Sequence, residues 1–309
     1  MRVKTKNGAN SLESTSTDSS RGGTMNQRST RRLIARLLII MLSFCVLFLS
    51  SCGEIVGASE PVEPKEIKTE PGAFKDAAAH VQGICCDENA IYVVFSNYIY
   101  KLDWSGKTLR SVPAVSHSGD PCLAMGKLYV SMSSEDACAV YEYDLELNLL
   151  RKIKIPECPA CDGIAFLDGR FYTGGPSPST PHEDNPLNIF DERFKRLSHH
   201  EISFGAKTNY GPQSIASCRG VLLIAFYAVD KTQGAPRGAI VNSDGGVLGV
   251  TELDGSNGWY ALPESMQPNP KEFTRLLVAR TDEKQDGQTS ACFRWVDFDG
   301  KTLRDVTVK

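Results

Sequence analysis

At 309 residues, with 41% apolar and 23% charged side chains, the chain has the composition of a folded globular protein with one large domain or two ordinary ones. That balance excludes a disordered or fibrous chain, and a net charge of −3 excludes a broad electrostatic footprint for nucleic acid.

In chain order, residues 1–30 are polar and carry no core-forming run. Arg31, Arg32 and Arg36 then precede an apolar run from Leu37 to Leu49, closed by Ser50-Ser51-Cys52. A basic segment, a short apolar stretch and small residues at a cleavage point describe a secretory signal, and the run falls short of the ~20 residues of a comfortable membrane span. Leu49-Ser50-Ser51-Cys52 is similar to a bacterial lipobox, in which the cysteine is lipidated and becomes the mature N-terminus. Residues 1–52 therefore read as an N-terminal extension and lipoprotein signal, with Cys52 carrying palmitate-type acylation and Met25 as an alternative start. Residues 53–79, rich in Glu, Pro, Lys and Ser, read as a flexible linker. The expected location is the cell envelope, outside the cytoplasm, with the membrane as a partner through the lipid.

From His80 onward the sequence alternates short apolar runs with turn residues and shows no sustained helical period. Asp103-Trp-Ser-Gly-Lys-Thr-Leu-Arg returns at the C-terminus as Asp297-Phe-Asp-Gly-Lys-Thr-Leu-Arg. Fainter copies begin at Asp144, Asp191 and Asn242, giving spacings of 41, 47, 51 and 55 residues. Each copy ends an apolar stretch and is followed six residues later by Leu109, Leu150, Leu197, Leu248 or Leu303. Four strands per unit of ~40–50 residues is the pattern of β-propeller blades. Residues 80–309 accordingly read as an all-β propeller of five four-stranded blades, with six as the alternative count. In the repeated turn, Asp or Asn caps the hairpin, Gly106, Gly300 and Asn148 supply positive φ, and the leucine packs inward. The polar stretches 174–186, 230–238 and 281–289 read as loops.

Eight cysteines follow Cys52, an even number that outside the cytoplasm points to disulfides. Cys158-Pro-Ala-Cys161 has no companion pair at zinc-ligand spacing and no helix after it, so it reads as structural.

The innermost strand of each blade lines the axis. The entrances are His80-Val-Gln82-Gly, His117-Ser-Gly-Asp120, Cys161-Asp162-Gly, Gly211-Pro-Gln213 and Asn257-Gly-Trp259-Tyr260. Fivefold placement converges Gln82, Asp120, Asp162 and Gln213, with His80 and His117 further out and Tyr210, Trp259 and Tyr260 as aromatic neighbours. These nine are the candidate ligand-binding residues. Asp120 and Asp162 are the candidate acid–base pair of a sugar or lactone hydrolase or lyase, with His117 as an alternative proton donor. His80, His117, Asp120 and Asp162 include the ligand types for a divalent metal but lack a diagnostic spacing, so no cofactor is assigned. The leading expectation is a ligand, carbohydrate or peptide, bound at the axial mouth; an enzyme and a protein-interaction scaffold are the alternatives.

The segments His80-Val-Gln-Gly-Ile, Ile91-Tyr-Val, Lys101-Leu-Asp-Trp-Ser-Gly-Lys, His117-Ser-Gly-Asp, Asp162-Gly-Ile-Ala and Asp168-Gly-Arg-Phe-Tyr together resemble an uncharacterised family of bacterial secreted and lipoprotein propellers, over roughly residues 80–200. The chain departs from that family at Pro159-Ala160, where the family pattern has His-Gly. The resemblance implies a propeller fold and an envelope location and brings no activity with it. More distantly the pattern is similar to lactonase-like and glycosidase-like propellers, without the carboxylate and Asn metal pattern of the former.

Overall fold

The computed structural model describes residues 66–306, except 71, 75, 78–79, 116, 134–137, 156–157, 159–160, 176–179, 227–237, 254–257 and 286–287 and the side chains of 282–288. The expected signal segment, Cys52 and nearly all of the expected 230–238 loop lie outside the described residues.

The protein is a five-bladed β-propeller. Blade 1 is β2 (Val81–Cys86), β3 (Ile91–Phe95), β4 (Tyr98–Leu102) and β5 (Thr108–Pro113), with β1 (Glu66–Lys68) preceding it in the chain. Blade 2 is β6 (Ser118–Ala124), β7 (Lys127–Met132), β8 (Ala139–Tyr143) and β9 (Leu149–Lys154). Blade 3 is β10 (Gly163–Leu167), β11 (Arg170–Gly174), β12 (Asn185–Phe190) and β13 (Arg196–Ile202). Blade 4 is β14 (Pro212–Cys218), β15 (Val221–Phe226), β16 (Gly238–Asn242) and β17 (Val247–Thr251). Blade 5 is β18 (Trp259–Ala261), β19 (Thr274–Gln285), β20 (Gln288–Phe298) and β21 (Leu303–Asp305). Every blade is an antiparallel meander, and the innermost strands touch in the cyclic order β2, β6, β10, β14, β18 and back to β2.

Burial falls from the axis outward. The second strands, such as Ile91-Tyr-Val-Val-Phe95, are buried along their whole length because a neighbouring blade covers each face. Strands covered on both faces lose polar alternation, which is why these segments are continuous apolar runs. The fourth strands lie at the rim, and β9 is exposed at five of its six residues. The leucine column expected to pack inward is therefore at the surface. Leu109, Leu150, Leu197 and Leu248 are all exposed, since no further strand or blade covers the outermost ribbon.

The repeated hairpin turn is as expected in blades 1 to 4 and altered in blade 5. Asp103, Asp144, Asp191 and Asn242 each accept two backbone N–H bonds through Oδ1. Three residues later Gly106, Leu147, Phe194, Gly245 and Gly300 take positive φ, so Leu147 and not Asn148 turns the second blade. In blade 5, Asp297 stays in β20 and pairs with the buried Arg275, 2.8 Å from Nε, while Asp299 caps the turn. The stretch 281–289, expected as a loop, instead extends the β19–β20 hairpin, with Asp282 opposite Ser290 and Gln285 opposite Gln288.

Ring closure uses part of the expected linker. β1 pairs with one end of β20, Ile67 opposite Phe293, and β21 pairs with the other end, Phe298 opposite Leu303. Chain start and chain end thus share the outer edge of blade 5, and Ile67 buries its side chain against Phe293 and Trp295. The repeat pattern does not reveal this, because Glu66-Ile-Lys68 is too short to carry a strand signal by itself.

Candidate axial site

Each innermost strand enters with an irregular register. In β2 the pairing skips Gln82, in β6 it skips Gly119 and Asp120, and in β14 it skips Gln213. A bulge adds a residue with no partner and re-aims its side chain. The same repeat position in blades 1, 2 and 4 is thus turned away from its own sheet, toward the axis.

A pocket of about 320 Å³ opens at this end, and among the residues lining it are His80, Gln82, His117, Asp162, Tyr210 and Gln213, six of the nine expected there. Ser96, Ser118, Gly119 and Ser133 complete the lining and were not expected. The signal for two of them is present in hindsight. Ser96 and Ser133 follow the apolar runs of β3 and β7 at one repeat position, so they close the pocket from strand two as the Gln and Asp residues do from strand one.

Asp162 is the centre of this lining. Ser133 Oγ donates to its Oδ1 at 2.5 Å and Gln213 Nε2 to its Oδ2 at 3.1 Å. Its backbone is clamped as well, with the N–H donating to Gly174 O and the carbonyl accepting from Asp120 N and Ser131 Oγ. Burial raises the Asp162 pKa above the usual carboxylate range, against the opposing pull of Ser133, Gln213 and the charge of His117. Burial also lowers the pKa of His80. Gln82 Nε2 donates to Ser96 Oγ at 2.9 Å. His117 and Tyr210 both adopt positive φ and are exposed, which holds an imidazole and a phenol ring at the mouth. Among the described residues the lining holds no Lys or Arg.

Three expected residues are elsewhere. Asp120 is fully buried, its Oδ2 accepting from Ile215 N at 2.8 Å and its Oδ1 from Ser214 Oγ at 3.2 Å. A backbone bond from Ile164 also reaches it, and a Cβ placed on Gly83 would lie 2.1 Å from Oδ1. This carboxyl group ties blade 2 to blades 3 and 4 and presses on blade 1, and burial holds its pKa well above the usual range. The expected Asp120–Asp162 acid–base pair is thereby corrected, because Asp120 presents nothing to the pocket. Trp259 is buried between blades 4 and 5 with Ala216, Leu276 and Val296. Tyr260 packs among the clusters of blades 1 to 3, and its hydroxyl accepts from Leu123 N at 3.2 Å. Trp and Tyr after a strand-entry Gly read equally well as core, and core is where the fold puts them. Among the described residues no group of three or more His, Cys, Asp or Glu is placed to hold a metal ion, and committing Asp120 to structure breaks up the quartet considered for one.

One disulfide crosses beneath the site. Cys161 is bonded to Cys138, just before β8, and not to Cys158 of its own C-x-x-C. Cys85, Cys86, Cys122 and Cys218 are buried thiols whose pKa values burial raises, so the even cysteine count does not translate into a set of bridges.

No protein-family model matches the sequence, and no curated protein matches it. By shape the chain is similar to the glutaminyl cyclase of Myxococcus xanthus, at 11% identity and a TM-score of 0.52, with 76% of this chain and 96% of that one covered. It is similar to a proposed exo-β-1,3-galactanase of Bifidobacterium bifidum at 12% identity and a TM-score of 0.51, covering 80% and 97%. At these identities the likeness is one of fold alone.

Proposed function

We propose that the protein is an envelope lipoprotein, held to the membrane through Cys52, that binds a neutral carbohydrate at the axial pocket. The observation that carries this reading is the makeup of the pocket. Among the described residues, hydroxyls, amides and imidazoles surround one carboxyl group with no Lys or Arg beside it, and the Tyr210 ring stands at the mouth. Sugars need such a mixture of donors and acceptors for their hydroxyls and an aromatic face for their C–H surfaces. The volume of about 320 Å³ lies at the lower end of the range for ligand pockets, roughly 300–1,000 Å³, which fits a short glycan end better than a peptide. A neutral-glycan array followed by calorimetry tests it. Binding lost in Tyr210→Ala and in Asp162→Asn supports the reading, and silence across the array, or binding indifferent to both changes, removes it. For the anchor, Cys52→Ala should abolish lipid labelling and release the protein from membranes.

A second reading is favoured by one observation, the raised pKa of Asp162 beside His117. A carboxyl group whose pKa is raised by burial holds its proton to higher pH and can serve as a general acid, and His117 lines the same pocket. Two propellers of this shape, the cyclase and the proposed galactanase, bear enzyme names. Turnover of a bound glycan that disappears in Asp162→Asn while binding of the product persists would select this reading over simple binding.

A further inference from the structure

Cys138, Cys158 and Cys161 share one buried cluster at the junction of blades 2 and 3. The disulfide takes Cys138 and Cys161 and leaves a thiol on Cys158, three residues from Cys161. That thiol differs from the other buried cysteines in its surroundings. Asn188 Nδ2 donates to Cys158 Sγ at 3.4 Å, and Thr173 Oγ1 lies 3.9 Å away. Behind Asn188, its Oδ1 lies 3.0 Å from His199 Nδ1, and His199 Nε2 lies 2.7 Å from Glu201 Oε1 at the surface of β13. With its proton on Nδ1 the imidazole donates to Asn188 Oδ1, which keeps the amide turned with Nδ2 on the sulfur. Hydrogen bonds donated to a sulfur favour its thiolate, the form that attacks disulfides. Cys85 and Cys122 are held as thiols chiefly by burial, with Cys122 adding to the effect on Cys85 and Asp120 to that on Cys122.

We infer that Cys138, Cys158 and Cys161 form a thiol–disulfide exchange site that alternates between two disulfides and thereby sets the position of Asp162. In the exchange the Cys158 thiol gives up its proton, and its thiolate attacks Cys161 Sγ. The Cys158–Cys161 bond forms as the Cys138–Cys161 bond breaks, and Cys138 leaves as a thiolate and takes up a proton. Electrons balance without an external oxidant.

The consequence for the site follows from the next residue. Cys161 N donates to Ser133 Oγ at 3.2 Å, and the same hydroxyl donates to Asp162 Oδ1. The Cys138–Cys161 bridge holds this entrance loop against blade 2. With Cys161 bonded to Cys158 the covalent tie of Cys161 to blade 2 is gone, and the Ser133–Asp162 contact is held by hydrogen bonds alone. The exchange stands on the cysteines alone, whatever the pocket binds.

The test is disulfide mapping of the full-length purified chain after exposure to a small amount of reduced glutathione, trapping with iodoacetamide and mass spectrometry. The expected result is two disulfide-linked species, Cys138–Cys161 and Cys158–Cys161, the second absent from Cys158→Ser. In Cys138→Ser, oxidised glutathione should be reduced as Cys158 and Cys161 join. Cys138–Cys161 alone under every condition in wild type overturns the exchange, whether or not the Cys138→Ser variant folds. Asn188→Leu should slow formation of the second species about tenfold, the loss of one hydrogen bond to a charged group. Amide hydrogen exchange supplies the other half: faster exchange at residues 131–133 and 161–165 in the Cys158–Cys161 form is expected, and unchanged exchange there overturns the link to Asp162.

Discussion

Asp120 and Asp162 enter neighbouring blades at corresponding positions, and the backbone N–H of the first donates to the carbonyl of the second at 2.7 Å. Their side chains do opposite work. Asp120 is carried inward by the bulge of β6 and spends its carboxyl oxygens on Ile215 N and Ser214 Oγ, where it locks blades together. Asp162 stands just before β10, half-buried, with partners that are themselves pocket walls. The difference teaches that a repeat position in a propeller specifies a direction, toward the axis, and not a role. What a polar group does there depends on how far along the axis its strand sets it.

The sharpest way to break the contrast is Asp120→Ala. It strips acceptors from at least two buried donors, and a loss of about 2–4 kcal/mol is expected, read from the urea midpoint at constant m. An unchanged midpoint would deny Asp120 its part as a lock. Next in size is Gly119→Ala, whose Cβ would meet the Asp162 carbonyl oxygen at 2.4 Å. Overpacking of this kind costs about 1–3 kcal/mol, and a thermal melt will show it.

Asp162→Asn should act in the other direction. The folded-state pKa of Asp162 is raised, so the stability it contributes is complete below the unfolded value of about 4 and is lost as pH rises through the folded value. Asparagine removes that loss. The variant should equal or exceed wild type at pH 7, with no advantage at pH 3, while ligand binding falls. Urea melts at the two pH values decide it, and a variant weaker than wild type at pH 7 would make Asp162 a second lock. The smallest effect belongs to the rim. Leu150→Ser should change stability by no more than about 0.5 kcal/mol, because the side chain is already in solvent. A larger loss in the same melt would mean that something covers the outer strands.

Much of this was legible from residue order. The Asp103 and Asp297 repeats announce the blades, and six pocket residues are found by reading the strand entrances in turn. The misreadings share a cause. Leu150 and Leu109 look like core residues because an apolar residue in a strand has two faces to choose from, and only the neighbouring blade says whether either is covered. Trp259 and Tyr260 have the composition of a ligand platform, yet the packing of blades 4, 5 and 1 closes over them. The C-x-x-C spacing of Cys158 and Cys161 invites a local bridge, while the actual partner, Cys138, comes from the preceding blade.

By itself, then, the sequence determined the repeat: strand periods, turn caps and blade number follow from local chemistry that each unit carries within itself. The tertiary structure decided the rest. It split β20's outer edge between Ile67 and Leu303, sent Asp120 into the core and kept Asp162 at the pocket. These outcomes depend on contacts between blades, which close only when the ring does, and no single unit encodes how deep along the shared axis its polar residue will stand.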